Sequence, residues 1–124
     1  METVRGRLHK GSGDFTKRMT KYVDVFARAT GEKLFPGTLN VQLDRPIEIH
    51  EHFRIRGVEI NEPQQDLLFE ICRVNGQWAY RIRPRNVNDG SGGHGDHIIE
   101  IACANRLREE DGFNESSIEI AFFR

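Results

Sequence analysis

Polar and apolar residues alternate along most of this chain, and alternation with a period of two is typical of half-buried β-strands. Short runs of this kind recur throughout the sequence and are separated by Gly, Pro, Asn or Asp residues. They predict strands at Thr3–Leu8, Thr38–Leu43, Phe53–Ile60, Leu67–Val74, Gln77–Ile82, Ile98–Ala102 and Ser117–Phe123. Many short strands with a turn between most of them indicate a compact β-barrel.

The clearest turn lies in the middle of the chain. Asn75–Gly76 separates two apolar runs, Leu67–Val74 and Gln77–Ile82. An Asn-Gly pair readily adopts the two positive φ angles of a type I′ turn, which joins neighbouring antiparallel strands. We therefore predict a β-hairpin here, and we expect Pro84 to end its second strand.

Helical patterns occur in two places. An apolar stripe predicts a helix over Thr20–Thr30, with Thr20 as its N-cap and Gly31 as its C-terminal stop. A short helix is predicted at Arg106–Asp111. Because no repeat or linker divides the chain, we expect one domain over residues 1–124, a mainly β barrel with one longer and one short helix.

Composition narrows the possible functions. The 124 residues carry a net charge of -1 and have a pI near 6.5, which argues against a nucleic-acid-binding module that relies on bulk charge. No apolar run approaches the roughly 18 residues of a membrane span, and the N-terminus lacks the apolar core of a signal peptide. We expect a cytoplasmic protein that does not contact membranes.

The two cysteines carry little functional information. Cys72 and Cys103 each lie in an apolar, strand-like segment, and no CxxC motif is present. Free buried thiols are the usual state of such residues in a cytosolic protein. A disulfide between the two is the alternative.

The segment after the Pro36–Gly37 turn carries the strongest chemical signal. Thr38 and Asn40 are two residues apart on a predicted strand, so their side chains project from the same face. A hydroxyl and a carboxamide suit Mg²⁺ when phosphates and water supply its other ligands. The alternative is a Thr and an Asn on a solvent-facing strand.

A glycine loop follows the first predicted strand. It contains Gly11, Ser12, Gly13 and Asp14. Glycines allow backbone amides to approach phosphate oxygens closely. The spacing matches neither a P-loop nor a dinucleotide fingerprint, so an ordinary surface turn is the alternative.

Glu100 is a second unusual position, because it interrupts the apolar strand Ile98–Ala102. A carboxylate in apolar surroundings requires a partner, and burial would raise its pKa towards the range of a general base. A strand with one solvent-exposed face and an exposed Glu is the alternative.

The sequence after this strand is basic. Asn105, Arg106, Leu107 and Arg108 open the short predicted helix. Their two arginines could clamp a phosphate or read a base edge, although alternating charges are also typical of a solvated helix face. Histidine pairs at His50/His52 and His94/His97 could bind a metal, but no third ligand follows from the spacing.

Together these segments resemble the CTP-dependent riboflavin kinases, known mainly from archaea. In that family a glycine-rich loop follows the first strand, a helix carries a Y…F pattern, GTLN follows a turn, and a late xIIEI strand precedes a KLRE-like segment. The matching segments occur here in the same order: Gly11–Asp14, Tyr22 with Phe26, Phe35–Asn40, His97–Ile101 and Arg106–Glu109.

The resemblance implies a fold and a reaction. The fold is a small six-stranded cradle-loop barrel. The reaction transfers the γ-phosphoryl group of CTP to the 5′-hydroxyl of riboflavin and produces FMN. The partners implied are therefore small molecules, with Mg²⁺ as the cofactor, and we expect a monomer or weak dimer.

The resemblance also implies site residues. Thr38 and Asn40 would hold Mg²⁺, and Gly11–Asp14 would cradle the nucleotide phosphates. Asn105–Arg108 would line the cytidine site, and Glu100 would contact the flavin. Glu100 and Asp14 are both candidates for the general base that deprotonates the acceptor hydroxyl.

The chain also departs from the family pattern. Its first loop lacks the last glycine of the family's GxGEG, and Gly92, with Ser91 beside it, stands where the family has a flavin-site threonine. These differences leave alternatives open: a kinase with a changed substrate, or a non-catalytic nucleotide- or flavin-binding module of the same fold. A DNA-binding relative of the barrel is a further alternative, which the near-neutral charge disfavours.

Overall fold

The computed structural model describes residues 1–11, 13–90, 95–105 and 117–124. Its seven strands are β1 (Glu2–His9), β2 (Leu39–Leu43), β3 (Phe53–Ile55), β4 (Gln65–Val74), β5 (Gln77–Asn86), β6 (Ile98–Ala102) and β7 (Ile118–Phe122). Two α-helices, α1 (Asp14–Lys21) and α2 (Val23–Thr30), connect β1 to β2, and a 3-10 helix spans Gly57–Ile60.

Six of the strands close into a barrel. The hydrogen-bonded order is β4-β5-β6-β2-β1-β7, and β7 returns to pair with β4, with every pairing antiparallel. β4 can close the ring because its first half pairs with β3 and its second half with β7. The predicted six-stranded, mainly β barrel is confirmed.

Apolar side chains form two clusters, one on each side of the barrel wall. The first includes residues from all six barrel strands and fills the interior; Val41, Ile99 and Phe122 are typical members. The second lies outside the barrel, where Phe15 of α1 and Phe26 of α2 cover β4 and β5. Alternation along β4, β5 and β6 supplies both clusters, since successive side chains point to opposite faces.

One end of the barrel interior holds a buried ion cluster. The carboxylate of Glu70 is fully buried and accepts hydrogen bonds from the Arg124 guanidinium at 2.9 and 3.1 Å. The buried Arg81 guanidinium lies 3.9 Å from Glu70 and 3.6 Å from Asp96. Buried charges of this kind persist only when they are paired.

The helical region differs from the prediction of one helix over Thr20–Thr30. The backbone breaks at Tyr22 (φ -113°, ψ 37°), so two helices form. Thr20 is not an N-cap, because it lies inside α1 and its hydroxyl donates to the Thr16 carbonyl at 2.7 Å. The predicted stop is confirmed, since Gly31 ends α2 at φ 82°. The short helix predicted at Arg106–Asp111 lies outside the described residues.

Two strand predictions were wrong in their bounds. The strand predicted at Phe53–Ile60 ends at Ile55 and continues as the 3-10 helix, which leaves Val58 58% exposed. Pro84 does not end the hairpin, because it lies inside β5 and beyond the residues that pair with β6, where a missing N–H is tolerated.

The predictions for the hairpin turn and for the two cysteines are confirmed. The hairpin turn has Asn75 at φ 48° and Gly76 at φ 84°. Cys72 and Cys103 are free and buried. None of the helices among the described residues is long and apolar enough to span a membrane.

Candidate functional site

A cavity of about 290 Å³ opens where the loop after β1 meets the start of β2. Five of its lining residues are predicted site residues from three separate parts of the chain: Gly11, Gly13, Thr38, Asn40 and Asn105. The cavity is also lined by His9, Thr16, Phe35, Pro36, Gly37, Leu39, Ile101 and Cys103. The fold therefore gathers the glycine loop and the Thr38–Asn40 segment around one space.

Thr38 and Asn40 do not lie on an open solvent face. Asn40 is only 6% exposed and Thr38 is half-buried. Gly11 lies directly against the Asn40 carboxamide, because a Cβ atom built on Gly11 would collide with Asn40 Nδ2. A buried carboxamide at the wall of a polar cavity is expected to have a partner there.

The segment that carries Thr38 is held from two sides. The Phe35 N–H donates to the Cys103 carbonyl at 2.8 Å, which ties the segment to the end of β6. The Gly37 N–H lies 3.2 Å from the Met19 sulfur of α1. Gly37 has a φ of 119°, a conformation that favours glycine. The sequence thus presets the position of Thr38 before any ligand binds.

Glu100 lies beside this pair. It is directly opposite Asn40 in the β2–β6 ladder, and the Thr38 hydroxyl donates to Glu100 Oε1 at 3.2 Å. A hydroxyl that donates its proton keeps its lone pairs free to coordinate a cation. Thr38 can therefore orient Glu100 and offer an oxygen ligand at the same time.

The environment of Glu100 weakens its acidity. Burial is the main cause and raises the pKa of this half-buried carboxyl to about 7, with a further upward contribution from Asp14. The hydrogen bond from Thr38 and the positive charge of Arg18 act in the opposite direction. At neutral pH the carboxyl is therefore divided between its two protonation states, as a general base requires.

Asp14 occupies a different position. It is the first residue of α1, is exposed and does not line the cavity. Gly13 precedes it at φ 80°, and no side chain caps the helix. The first amides of a helix carry partial positive charge and bind anions, so the loop from Gly11 to α1 can receive a phosphate group.

The oxygen donors around the cavity fit Mg²⁺, whereas His94 of the predicted His94/His97 metal pair lies outside the described residues. Thr38 and Asn40 offer neutral oxygens beside the Glu100 carboxylate, which are ligand types that Mg²⁺ accepts. Nδ1 of His52 instead accepts the Ile71 N–H at 3.0 Å. Among the described residues, no cluster of three His, Cys, Asp or Glu side chains could hold a metal.

Not every predicted site residue can be placed. Ser12, Ser91, Gly92, Arg106, Leu107 and Arg108 lie outside the described residues. Conversely, His9 lines the cavity but was not predicted as a site residue, because the first strand was predicted to end at Leu8. The alternation of Arg5, Arg7 and His9 was the signal that could have extended the predicted strand to His9, which the structure pairs with Asn40.

Comparisons with known proteins identify the family of this chain. A family model named for the CTP-dependent riboflavin kinases, and described as "Domain of unknown function DUF120", matches residues 8–121. A curated protein from Thermofilum pendens, named riboflavin kinase, is 29% identical over 124 residues, covering 87% of this chain and 52% of that protein. The chain thus spans about half the length of this relative. The match over residues 8–121 shows that the chain belongs to the CTP-dependent riboflavin kinase family.

Proposed function

We propose that this protein transfers the γ-phosphoryl group of CTP to the 5′-hydroxyl of riboflavin and so produces FMN. Family membership supports the reaction class. The observation that carries the proposal is the convergence of Thr38, Asn40 and the glycine loop on one cavity, with Glu100 bound to Thr38. Phosphoryl transfer depends mainly on positioning and charge neutralisation, and these groups supply both.

The donor nucleotide would bind at the glycine loop. Gly11 and Gly13 line the cavity, and the open space beside Gly13 leaves room for phosphate oxygens close to the backbone. Asn105 lines the cavity near the end of β6, and we assign it, with Arg106–Arg108, to the cytidine moiety.

Thr38 and Asn40 would hold the magnesium ion. When bound, Mg²⁺ would neutralise the negative charge of the phosphates during transfer. The buried position of Asn40 and the hydrogen bond from Thr38 to Glu100 fix the two side chains before substrates arrive. The protein therefore loses little side-chain freedom on binding.

The acceptor would bind on the Glu100 side. With a pKa near 7, the Glu100 carboxylate can accept the proton of the riboflavin hydroxyl at neutral pH. We assign the general base to Glu100 and not to Asp14, because Glu100 is half-buried and bonded to Thr38 beside the cavity, whereas Asp14 is exposed. Ser91 and Gly92 remain predicted contacts of the flavin.

The proposed substrates also define the setting of the reaction. Both are small molecules, so we propose that the protein acts without nucleic acid, as a monomer or weak dimer. Use of CTP would place the reaction in the cytoplasm, where nucleoside triphosphates are made and consumed.

The direct test is FMN formation, measured by chromatography with riboflavin, Mg²⁺ and either CTP or ATP. We expect FMN with CTP and much less with ATP. Faster turnover with ATP would contradict the assignment of the donor. If neither nucleotide gives FMN, although the folded protein binds CTP or riboflavin, the chain is a non-catalytic binding module or acts on another substrate.

A further inference from the structure

His9 lines the cavity, but nothing proposed above uses it. It is the last residue of β1 and pairs with Asn40, which in turn pairs with Glu100. Directly paired residues on neighbouring antiparallel strands project from the same face. His9, Asn40 and Glu100 therefore form a row across three adjacent strands, with about 4.8 Å between neighbours.

The two ring nitrogens of His9 differ in their surroundings. Nδ1 is buried and has no hydrogen-bond partner, whereas Nε2 is not among the buried, unpartnered nitrogens of the described residues. Since the His9 ring makes no hydrogen bond in the described part of the chain, Nε2 is the nitrogen that remains open to the cavity.

This difference selects a tautomer. A buried N–H without an acceptor costs about 1–3 kcal/mol, and unpaired buried donors are rarer than unpaired acceptors. The neutral ring therefore carries its proton on Nε2 and leaves the buried Nδ1 bare. Consequently, His9 offers the cavity a single hydrogen-bond donor.

The row also has a direction. Glu100 at one end is the proposed acceptor base, Asn40 in the middle is a proposed magnesium ligand, and His9 at the other end lies two residues before the glycine loop. In phosphoryl transfer the attacking oxygen, the transferred group and the leaving oxygen are roughly in line. The His9 end of the row is therefore the side of the donor nucleotide.

We propose that His9 is a further substrate-binding residue, whose Nε2–H donates a hydrogen bond to a phosphate oxygen of the donor nucleotide. The inference rests on the proposed function of this cavity as a phosphoryl-transfer site. The phosphate would then accept hydrogen bonds from the His9 side chain as well as from the backbone amides of the glycine loop. A hydrogen bond to a charged phosphate is stronger than one to a neutral group.

Two substitutions separate this contact from a structural role. His9→Leu removes the donor, while His9→Gln keeps an amide N–H near the position of Nε2. His50→Leu is the matched control, because His50 is exposed and does not line the cavity. Calorimetry on each folded variant would measure affinities for Mg-CTP, inorganic tripolyphosphate and cytidine.

We expect His9→Leu to weaken binding of Mg-CTP and tripolyphosphate by about tenfold to a hundredfold, as loss of a charge-assisted hydrogen bond predicts. Cytidine carries no phosphate, so its affinity should not change. His9→Gln and His50→Leu should remain close to the wild type. If His9→Leu does not fold, His9→Asn, whose shorter amide reaches only the Nδ1 position, takes its place.

The outcomes distinguish this inference from the proposed function. Unchanged CTP and tripolyphosphate affinities in His9→Leu, with FMN formation intact, would overturn the role of His9 alone. If the wild-type protein makes no FMN but His9→Leu still loses tripolyphosphate binding, the role of His9 is supported and the proposed kinase activity is contradicted. Equal weakening of cytidine binding, or a wild-type protein that binds no phosphate probe, would overturn the inference.

Discussion

Replacement of Glu100 by Gln should stabilise the protein at alkaline pH and leave its stability unchanged in acid. The folded state raises the pKa of this carboxyl from 4.5 to about 7, mainly through burial. Between these two values the unfolded chain has lost a proton that the folded chain retains. Stability therefore falls as pH rises through this range, and the loss is complete above pH 7.

The magnitude follows from the size of this pKa change. Each tenfold change in the ionisation constant corresponds to about 1.4 kcal/mol, so the pKa change from 4.5 to about 7 sets an upper limit of about 3.5 kcal/mol. Because Glu100 is only half-buried, solvent screening reduces this value, and we expect a gain of about 1–2 kcal/mol. Gln has the same shape and can still accept the hydrogen bond from Thr38, so packing should not change.

The assay is urea denaturation of the wild type and of Glu100→Gln at pH 4.5 and pH 8, with exposed Glu48→Gln as the control. The Glu100 variant should be more stable at pH 8 and equal to the wild type at pH 4.5. A gain of the same size at both pH values, or no gain at pH 8, would refute the reasoning that burial destabilises the charged carboxylate.

Two further substitutions test the site and the barrel. Gly11→Ala should place a Cβ atom against the Asn40 carboxamide and so lower FMN formation at least tenfold. The control Gly95→Ala should not lower it, because a Cβ atom on Gly95 meets no atom within 4 Å. Equal activities of these two variants would contradict the contact between Gly11 and Asn40. Glu70→Ala should destabilise the protein by about 3–5 kcal/mol in urea denaturation, because it removes the buried anion of the ion cluster. The control Glu48→Ala, at an exposed position, should change stability by about 0.5 kcal/mol or less. Similar urea midpoints for the two variants would contradict a stabilising role of the ion cluster.

Much of the barrel could be predicted from the sequence, because alternation reports burial directly. Each barrel strand supplies one face to the interior, and the Asn75–Gly76 turn imposes its own conformation. Alternation also predicted that Thr38 and Asn40, two residues apart, project from one face. In the structure both residues line the cavity.

Other features depend on contacts that a local pattern does not encode. Helix α1 has only Phe15 and Met19 as buried residues, so the sequence contains too few apolar positions at helical spacing to predict this helix. The alternation after Ile55 continues through Gly57, but the Gly57 backbone packs so tightly against the Glu62 and Gln65 carbonyls that no Cβ atom would fit. The 3-10 helix that begins at Gly57 therefore depends on the contacts of its first residue with the turn that follows the helix.

The candidate site likewise has features that the local sequence predicts and contacts that it does not predict. Local sequence identified the glycine loop, the Thr38–Asn40 pair and Glu100 as separate features. It could not show that the Thr38 hydroxyl bonds to Glu100, because 62 residues separate the two positions. His9 was missed because β1 extends one residue beyond the predicted strand, to Glu2–His9, and this residue is the one that faces the cavity.

The most direct test of the central claim compares Asn40→Ala with Gln42→Ala in FMN formation from riboflavin, CTP and Mg²⁺. Both residues lie on β2 and face the same side of the sheet, but only Asn40 lines the cavity. We predict that Asn40→Ala folds and loses all measurable FMN formation, while Gln42→Ala retains it. Substantial activity in a well-folded Asn40→Ala variant would contradict the assignment of this cavity as the phosphoryl-transfer site.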